Sequence, residues 1–473
     1  MDIKTPHIKE RAPGSNGERT AMSVNNQKLK SPVLAGIVAC ALALAAFTSA
    51  QATPRIEHWT TDNGARVYYV HAPELPMVDI QFIFDGGSAR DGGNKGAALL
   101  TSALLDQGAG DLDADAIASR LEDVGAQLST SSHRDMAVVS LRSLSDETLL
   151  QPALDVMALI LGKPVFPPDS IERERKRVLI ALQGQSQSPG KIASKTFFEA
   201  LYGDHPYASL TLGTEKSVKA LTREDLIAHY QQYYVARNAV IAVVGALDRA
   251  TTEAVVARLS AMLPEGQPAP PLAEVPALQE GREIHIDFPS SQTHVLMGQP
   301  GMWRGDPDYF SLYVGNHVLG GSGLVSRISE EVREKRGLAY SAYSYFSPMR
   351  QAGPYTLGLQ TRNDQRDEAL TVLRATLKTF IDKGPTAHEL KASKQNITGG
   401  FPLRISSNGK IANNLAVIGF YRLPLDYLDT FNDKVEAVTM EQIRTAFQKR
   451  IHPDKMVTVT VGGAAAPEEP GDG

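Results

Sequence analysis

An internal repeat constrains the fold of this chain more than any other feature of its sequence. Residues 221–245 (LTREDLIAHYQQYYVARNAVIAVVG) and 438–462 (VTMEQIRTAFQKRIHPDKMVTVTVG) align without a gap, at an offset of 217 residues. In the first copy, Thr222 and Asp225 form a near capping box before a helix-length segment, and 238–245 is typical of a buried strand. Two copies of one helix–strand unit predict two homologous halves.

A proline-rich stretch separates the two copies. Five prolines lie between Pro264 and Pro276 with no apolar periodicity, which indicates a semi-extended linker. We therefore predict an α+β fold of two tandem half-domains, each with helices packed on a mixed β-sheet. The predicted divisions are a signal peptide with a possible N-terminal extension (1–52), an N-terminal domain (53–262), the linker (263–281), a C-terminal domain (282–462) and a disordered tail (463–473).

Composition agrees with a multidomain globular protein. The 473 residues exceed one typical domain, and 42% hydrophobic with 21% charged residues is ordinary for a chain with a full core. The net charge of −5 gives no indication of a nucleic-acid partner.

The N-terminal region has the three parts of a secretory signal peptide. Lys28 and Lys30 precede an apolar run at 33–47, and Ala50-Gln51-Ala52 predicts cleavage before Thr53. The run is shorter than the ~20 residues that span a bilayer. We therefore expect a periplasmic or secreted protein. Either Met1 or Met22 could be its true start.

The single cysteine, Cys40, lies inside the predicted signal peptide. The mature chain would then contain no disulfide. Residues 37–40 also resemble a lipobox, so a lipoprotein anchored at Cys40 is the alternative. It ranks second because residues 41–47 are still apolar, where a lipoprotein usually has a polar tether.

Residues 324–346 (LVSRISEEVREKRGLAYSAYSYF) predict an amphipathic helix that ends at Gly337 and leads into a strand. Val325, Ile328 and Val332 recur at helical spacing, and cationic residues crowd the last turn. Tyrosines and a phenylalanine then favour an extended segment. By composition alone this is a capped surface helix before a sheet.

The same stretch resembles the C-terminal half of the pitrilysin/insulinase family of zinc metallopeptidases. The matching text is L-G-G at 319–321, S-R-I at 326–328 and REKRGLAYS at 333–341. In that family an Arg and a Tyr seven residues apart bind substrate and help to stabilise the reacting carbonyl. The resemblance assigns these roles to Arg333 and Tyr340.

The resemblance also locates a zinc site whose ligands are missing. Active members carry H-x-x-E-H on a first-half helix, because residues at i and i+4 share one face. Anchored at 96–98, the two His positions fall on Leu99 and Ala103, and the general base falls on Ser102. The third ligand falls on Ala181, seven residues after Glu174. We expect these four positions to be refilled as core, with no metal in this chain.

Other chemistries have little support in the sequence. No two of the eleven His residues stand at i and i+4, and His133, His205 and His294 are interpreted as ordinary surface or loop residues. The GGSG at 320–323 lacks the lysine of a P-loop and is not a G-x-S-x-G elbow. It is interpreted as a tight loop beside a substrate groove.

Loss of the zinc site with retention of the Arg/Tyr pair matches one branch of the family, whose bacterial members act as heterodimers. The resemblance implies a subunit that is inactive alone and that binds peptide together with an HxxEH partner subunit, which supplies zinc. The alternative is a non-enzymatic scaffold or binding protein of the same fold. An adjacent gene for a secreted HxxEH paralogue would favour the heterodimer.

Overall fold

The computed structural model of the protein describes residues 54–463. The predicted signal peptide, Cys40 and the predicted tail beyond Gly463 lie outside the described residues. The first half contains strands β1 (Glu57–Thr60), β2 (Arg66–His71), β3 (Met77–Phe84), β4 (Gly108–Ala109), β5 (Leu112–Asp113), β6 (Gln127–Ser132), β7 (Ala137–Leu144) and β8 (Ala239–Gly245). Its helices are α1 (Ala97–Leu104), α2 (Ala114–Glu122), α3 (Glu147–Gly162), α4 (Pro168–Ser186), α5 (Pro189–Tyr202), α6 (Glu215–Ala220), α7 (Arg223–Tyr233) and α8 (Arg249–Ser260).

The second half has a related but smaller set of elements. Its strands are β9 (Arg282–Ile286), β10 (Gln292–Pro300), β11 (Ala339–Phe346), β12 (Pro354–Arg362) and β13 (Val457–Val461). Its helices are α9 (Tyr309–Asn316), α10 (Arg327–Ser329), α11 (Arg366–Lys383), α12 (Ala387–Arg404), α13 (Asn408–Tyr421), α14 (Tyr427–Ala437) and α15 (Met440–Arg450). Two π-helical turns, His317–Gly321 and Glu330–Glu334, flank α10.

The internal repeat is confirmed as a repeated helix–strand unit. Helices α7 and α15 have eleven residues each, and each begins with a complete capping box, at Thr222 and Thr439. Strands β8 and β13 close the two units. Strand β8 ends at Gly245, which has a φ of 151°, and β13 is followed by Gly462, which has a φ of 144°. A side chain at either position would collide with the backbone of the neighbouring strand. Only glycine therefore allows the two strands to lie this close together.

The two sheets confirm the predicted α+β class with mixed sheets. The first sheet has the strand order β1-β2-β8-β3-β7-β6, and the second has the order β11-β12-β10-β13-β9. In each sheet one pair is parallel, β2 with β8 and β9 with β13, and the other pairs are antiparallel. Strands β6 and β11 therefore occupy equivalent edges of the two sheets.

Each half contributes a helix to the other half's sheet. Helix α5 comes from the first half of the sequence but packs on β10 and β13 of the second sheet. Helix α13 packs in return on β2, β3 and β8 of the first sheet. The contact is close, because a Cβ at Gly419 would lie 2.5 Å from Val240 and 2.6 Å from Tyr68. This exchange merges the two halves into one folded body.

The exchanged helices begin with a second repeat that our sequence reasoning missed. Residues 188–193 read S-P-G-K-I-A and residues 407–412 read S-N-G-K-I-A. A Cβ at Gly190 would lie 3.1 Å from His294 on the second sheet, and one at Gly409 would collide with Arg142 on the first. The glycine in each copy thus lets a helix start lie directly on the opposite sheet.

Buried hydrogen bonds also join the halves. Asp135, in the β6–β7 turn, accepts hydrogen bonds from the hydroxyls of Tyr207 at 2.6 Å and Tyr421 at 3.0 Å. It also accepts the backbone N–H of Arg350 at 2.8 Å. Between α8 and β9, residues 264–281 form no helix or strand, and Leu272 is buried there.

Candidate functional site

The segment that carries Arg333 and Tyr340 is shorter and less regular than the predicted helix. It begins at Ser326, whose hydroxyl caps the backbone N–H of Ser329, and passes through α10 into the π-helical turn. Val325 was expected on the buried face, but it is 84% exposed, and Leu324 is also exposed. That expectation is wrong because Gly323, with a φ of 65°, starts a separate 3-10 turn before the cap.

Two buried residues hold this segment on the protein core. Ile328 and Val332 are fully buried, as their helical spacing predicts. Gly337, with a φ of 63°, then reverses the chain after the π-helical turn and starts it toward β11. The reversal brings the end of the turn beside the start of the strand.

Arg333 and Tyr340 meet across this reversal. The guanidinium carbon of Arg333 lies 5.1 Å from the centre of the Tyr340 ring, within cation–π distance. Tyr340 is 83% exposed, and the nearest carboxylate to Arg333, that of Glu334, is 3.5 Å away and itself exposed. The structure thus brings the two residues together, with Tyr340 exposed and Arg333 half-buried.

The L-G-G motif packs against the back of β11. A side chain at Gly320 would collide with Ser344, so only glycine allows this approach. Asn316, just before the motif, donates its side-chain N–H to the Ser344 carbonyl at 2.9 Å and accepts the Ser344 hydroxyl at 2.6 Å. These contacts fix the strand that bears Tyr340.

Further tyrosines lie along the same strand. Tyr343 and Tyr345 stack with ring centres 5.6 Å apart, and Tyr343 covers Gly358 on β12. Both are partly exposed, and β11 is the edge strand of its sheet. The surface beside Arg333 is therefore aromatic.

The positions that would carry zinc ligands lie on two helices that pack together. Leu99, Ser102 and Ala103 are on α1, and Ala181 is on α4, which contacts α1. Leu and Ala side chains offer no lone pair to a metal. The residues present therefore do not fit a zinc ion.

The expectation that these positions had been refilled as core fits Ser102 and Leu99, which packs against the first-half core, and is wrong for Ala181. Leu99 and Ala103 are half-buried and Ala181 is exposed, whereas Ser102 is 1% exposed. The buried Ser102 hydroxyl lies in the first-half core and has no base beside it.

Glu174 is an acidic residue on α4, the helix that also carries Ala181. It is 7% exposed and pairs with Arg177, whose guanidinium lies 2.8 Å and 3.0 Å from its two carboxylate oxygens. A buried carboxylate is costly without a counter-charge, and Arg177 supplies one. Sequence reasoning missed Arg177, although its i+3 spacing from Glu174 was a readable signal.

Asp91 is a second buried acid that the sequence did not reveal. Its carboxylate accepts the backbone N–H groups of Gly96 and Ala98, both at 2.8 Å, and so caps the start of α1. Burial raises the pKa of Asp91 to about 7, with a partial offset from those two hydrogen bonds. Gly96 has a φ of 97°, which aims the N–H groups at the carboxylate.

The histidines do not come together. His205 is buried, not at the surface, because its ring nitrogens bond to the Tyr207 N–H and the Ala273 carbonyl. His229 is also buried, and burial lowers its pKa to about 4. Among residues 54–463, no three His, Cys, Asp or Glu side chains converge to hold a metal.

Comparison with known proteins identifies the family. The model for Insulinase (Peptidase family M16) matches residues 66–215, and that for the Peptidase M16 inactive domain matches residues 220–397. A solved structure of a peptidase M16 inactive domain from Pseudomonas fluorescens is 41% identical, with a TM-score of 0.84. That match covers 87% of this chain and 98% of that one. This chain belongs to the M16 peptidase family. The resemblance inferred from 319–341 is thereby confirmed.

M16 relatives of similar identity carry different names. A Helicobacter pylori protein named non-peptidase homolog YmxG is 27% identical, over 85% of this chain and 93% of that protein. A Bacillus subtilis protein named uncharacterized zinc protease YmxG is 25% identical, over 82% and 94%. Names therefore do not decide whether an M16 chain carries zinc. The matches to the M16 inactive domain, by family model and by solved structure, support an inactive-type M16 chain.

Proposed function

We propose that this chain is the zinc-deficient subunit of a heterodimeric M16 peptidase. Arg333 and Tyr340 would bind a peptide carbonyl, while an HxxEH partner subunit supplies zinc and the attacking water. The observation that carries the proposal is the contrast between two surfaces of one chain. The half-buried Arg333 lies against the ring of the exposed Tyr340, whereas Leu99, Ala103 and Ala181 cannot bind a metal.

The chemistry of the pair suits a developing oxyanion. A guanidinium carries its charge throughout the physiological pH range and presents several N–H donors, and a tyrosine hydroxyl adds one more. Each well-placed donor to an oxyanion is worth ~3–4 kcal/mol of transition-state stabilisation. The contact between Arg333 and the Tyr340 ring holds both donors in one place. The pair would therefore stabilise charge that develops in the transition state.

At the positions that the resemblance assigns to the zinc ligands and the base, the described residues offer no group that could activate water. The position of the general base carries Ser102, whose hydroxyl is buried, and no donor occupies the ligand positions. Peptide hydrolysis by this subunit therefore depends on a partner. The site would form only when the partner's zinc half faces β11 and its tyrosines.

A non-enzymatic scaffold or binding protein of the same fold is the second candidate. The name non-peptidase homolog, given to the Helicobacter pylori relative, favours it. In that case Arg333 and Tyr340 would have only structural roles, one at the end of a turn and the other in a strand. The two candidates differ in one measurable respect, which is whether turnover in a mixture with an HxxEH subunit depends on this pair.

The location would be the periplasm or the outside of the cell. The support is the signal-like sequence ending at Ala52, with an anchor at Cys40 as the alternative. Within residues 54–463, no helix is long and apolar enough to cross a membrane. N-terminal sequencing of protein from fractionated cells is expected to show Thr53 at or near the start. A lipid on Cys40 would contradict this.

The proposal is tested by reconstitution. The chain is co-expressed with a secreted HxxEH paralogue from the same organism, and cleavage of a quenched fluorescent peptide is measured for each chain and for the mixture. We expect co-purification, and turnover only in the mixture. Equal turnover by the wild-type complex and by an assembled complex in which Arg333 and Tyr340 are substituted would favour the scaffold.

A further inference from the structure

The segment that bears Arg333 needs an external support to hold its orientation. It consists of three α-helical residues and one π-helical turn, 327–334, and its buried anchors are Ile328 and Val332. π-helical turns are rare and are frequently found at functional sites. A short element of this kind has little helical cooperativity of its own.

Most ion pairs of the segment are internal. Lys335 bonds to Glu330 at 2.9 Å and Glu331 at 2.7 Å, and Arg336 bonds to Glu331 at 2.7 Å. Such pairs shape the turn but cannot fix it against the rest of the molecule. Within residues 54–463, the ion pair that reaches out of this segment is the one made by Arg327.

Arg327 binds Glu389 through two parallel hydrogen bonds. Its Nε donates to Oε1 at 2.5 Å and its terminal nitrogen donates to Oε2 at 2.6 Å. The guanidinium also lies over the buried ring of Phe380 on α11, 5.2 Å from its centre. A bidentate pair fixes direction as well as distance, which a lysine cannot do.

Glu389 is itself held in place. It is the third residue of α12 and accepts the backbone N–H and the hydroxyl of Thr386, both at 2.7 Å, in a capping box. Burial opposes the charge of Glu389, but the hydrogen bonds from Arg327 and Thr386 outweigh it and lower the pKa to about 2. The carboxylate therefore stays charged at any pH at which the protein is used.

We propose that Arg327 is a positioning residue, which clamps the π-helical turn to α11 and α12 so that Arg333 stays against Tyr340. The inference rests on the proposed function for its effect on turnover. Its structural part concerns this chain alone. Loss of the clamp would let the turn shift while Ile328 and Val332 keep the segment attached, so folding would survive and the donor pair would separate.

Two substitutions remove the clamp in different ways. Arg327→Lys keeps the charge but loses the forked geometry, and Glu389→Gln keeps an acceptor for the Thr386 cap but loses the charge. The matched control is Arg374→Lys on α11. Arg374 pairs with Glu283 at 2.6 Å at the surface, away from the turn.

Hydrogen exchange of the isolated chain gives the structural readout. The amides of Lys335, Gly337 and Leu338 bond within the segment, to the carbonyls of Glu330, Arg333 and Val332. We expect peptides spanning 326–338 to exchange about tenfold faster in both clamp variants and at the wild-type rate in the control. Unchanged exchange in both variants would overturn the inference, whatever the complex does.

Turnover in the reconstituted complex gives the second readout. We expect kcat to fall about tenfold in both clamp variants with a less than twofold change in KM, and the control to match the wild type. Faster exchange with unchanged kcat would also overturn the positioning role. If the wild-type mixture shows no turnover, the proposed function fails, and exchange alone then supports or overturns the clamp.

Discussion

The two halves of this molecule share a scaffold but differ in what their surfaces can do. Both contain the capped helix and closing strand of the repeat, at Thr222 and Thr439, and equivalent sheets. In the first half, the positions that we assign to a zinc site carry no metal donors at Leu99, Ala103 and Ala181, and in the second half Arg333 contacts the exposed Tyr340. The difference shows that the core specifies the fold, while a few surface positions carry the chemistry.

The largest expected effect is on zinc binding. It tests whether the first half lacks only the metal-binding side chains of an M16 zinc site. We predict that the wild-type chain holds no stoichiometric zinc, and that Leu99→His, Ala103→His and Ala181→Glu together produce about one zinc per chain. The reason is that α1 and α4 still pack together and leave these positions accessible.

Elemental analysis of tag-free protein measures this, with the Leu99→His, Ala103→His double variant as the control. Tightly held zinc in the wild type would contradict our assignment of the ligand positions. A folded triple variant without zinc would show that the helices no longer have the spacing of a metal site.

The next effect tests the second half in the reconstituted complex. Arg333→Ala or Tyr340→Phe should lower turnover by about a hundredfold, as loss of one oxyanion donor commonly does. Arg336→Ala is the matched control, because Arg336 is also a cation of this segment but bonds to Glu331. The partner's zinc content should not change, since neither residue is a ligand. Full turnover in a normally assembled complex would contradict the substrate role.

The exchange of helices between the halves is tested by substituting alanine for glycine at two positions, one at the contact and one away from it. Gly419→Ala should lower the free energy of unfolding by about 1–3 kcal/mol, because its Cβ would collide with Val240 and Tyr68 of the other half. Gly399→Ala on α12 meets no atom within 4 Å and should stabilise by up to about 1 kcal/mol. Denaturant unfolding measures both. Equal effects would contradict the close contact between α13 and the first sheet.

The last effect concerns the acid that caps α1. The pKa of Asp91 is raised to about 7, so the folded chain binds more protons than the unfolded chain between about pH 4 and 7. Stability from this group is therefore lost as the pH rises, by about 2 kcal/mol from pH 5 to 7.

Asp91→Asn should flatten this dependence, because the amide does not titrate and still offers an acceptor to α1. Denaturant unfolding of the wild type and the variant across that range measures the change. An identical pH dependence in the two proteins would show that Asp91 titrates normally.

Much of the fold was predictable from the sequence because its signals are local. The capping box at Thr222 depends on residues only a few positions away, and so does the apolar run of β8. The repeat provides the same signals a second time. The irregular turn before β11 was not predictable. The helical spacing from Val325 to Ile328 crosses Ser326, which ends the 3-10 turn begun at Gly323 and caps the next helix.

The sequence by itself determined the repeat, the α+β class and the absence of donors at Leu99, Ala103 and Ala181, because these depend on residue identity and short-range pattern. Only the tertiary structure decided which sheet α5 and α13 cover, since an apolar helix face does not specify its partner. It also decided that Arg333 meets Tyr340 and that Arg327 meets Glu389. The latter two residues lie 62 positions apart, and only packing of α12 on the segment brings their charges together.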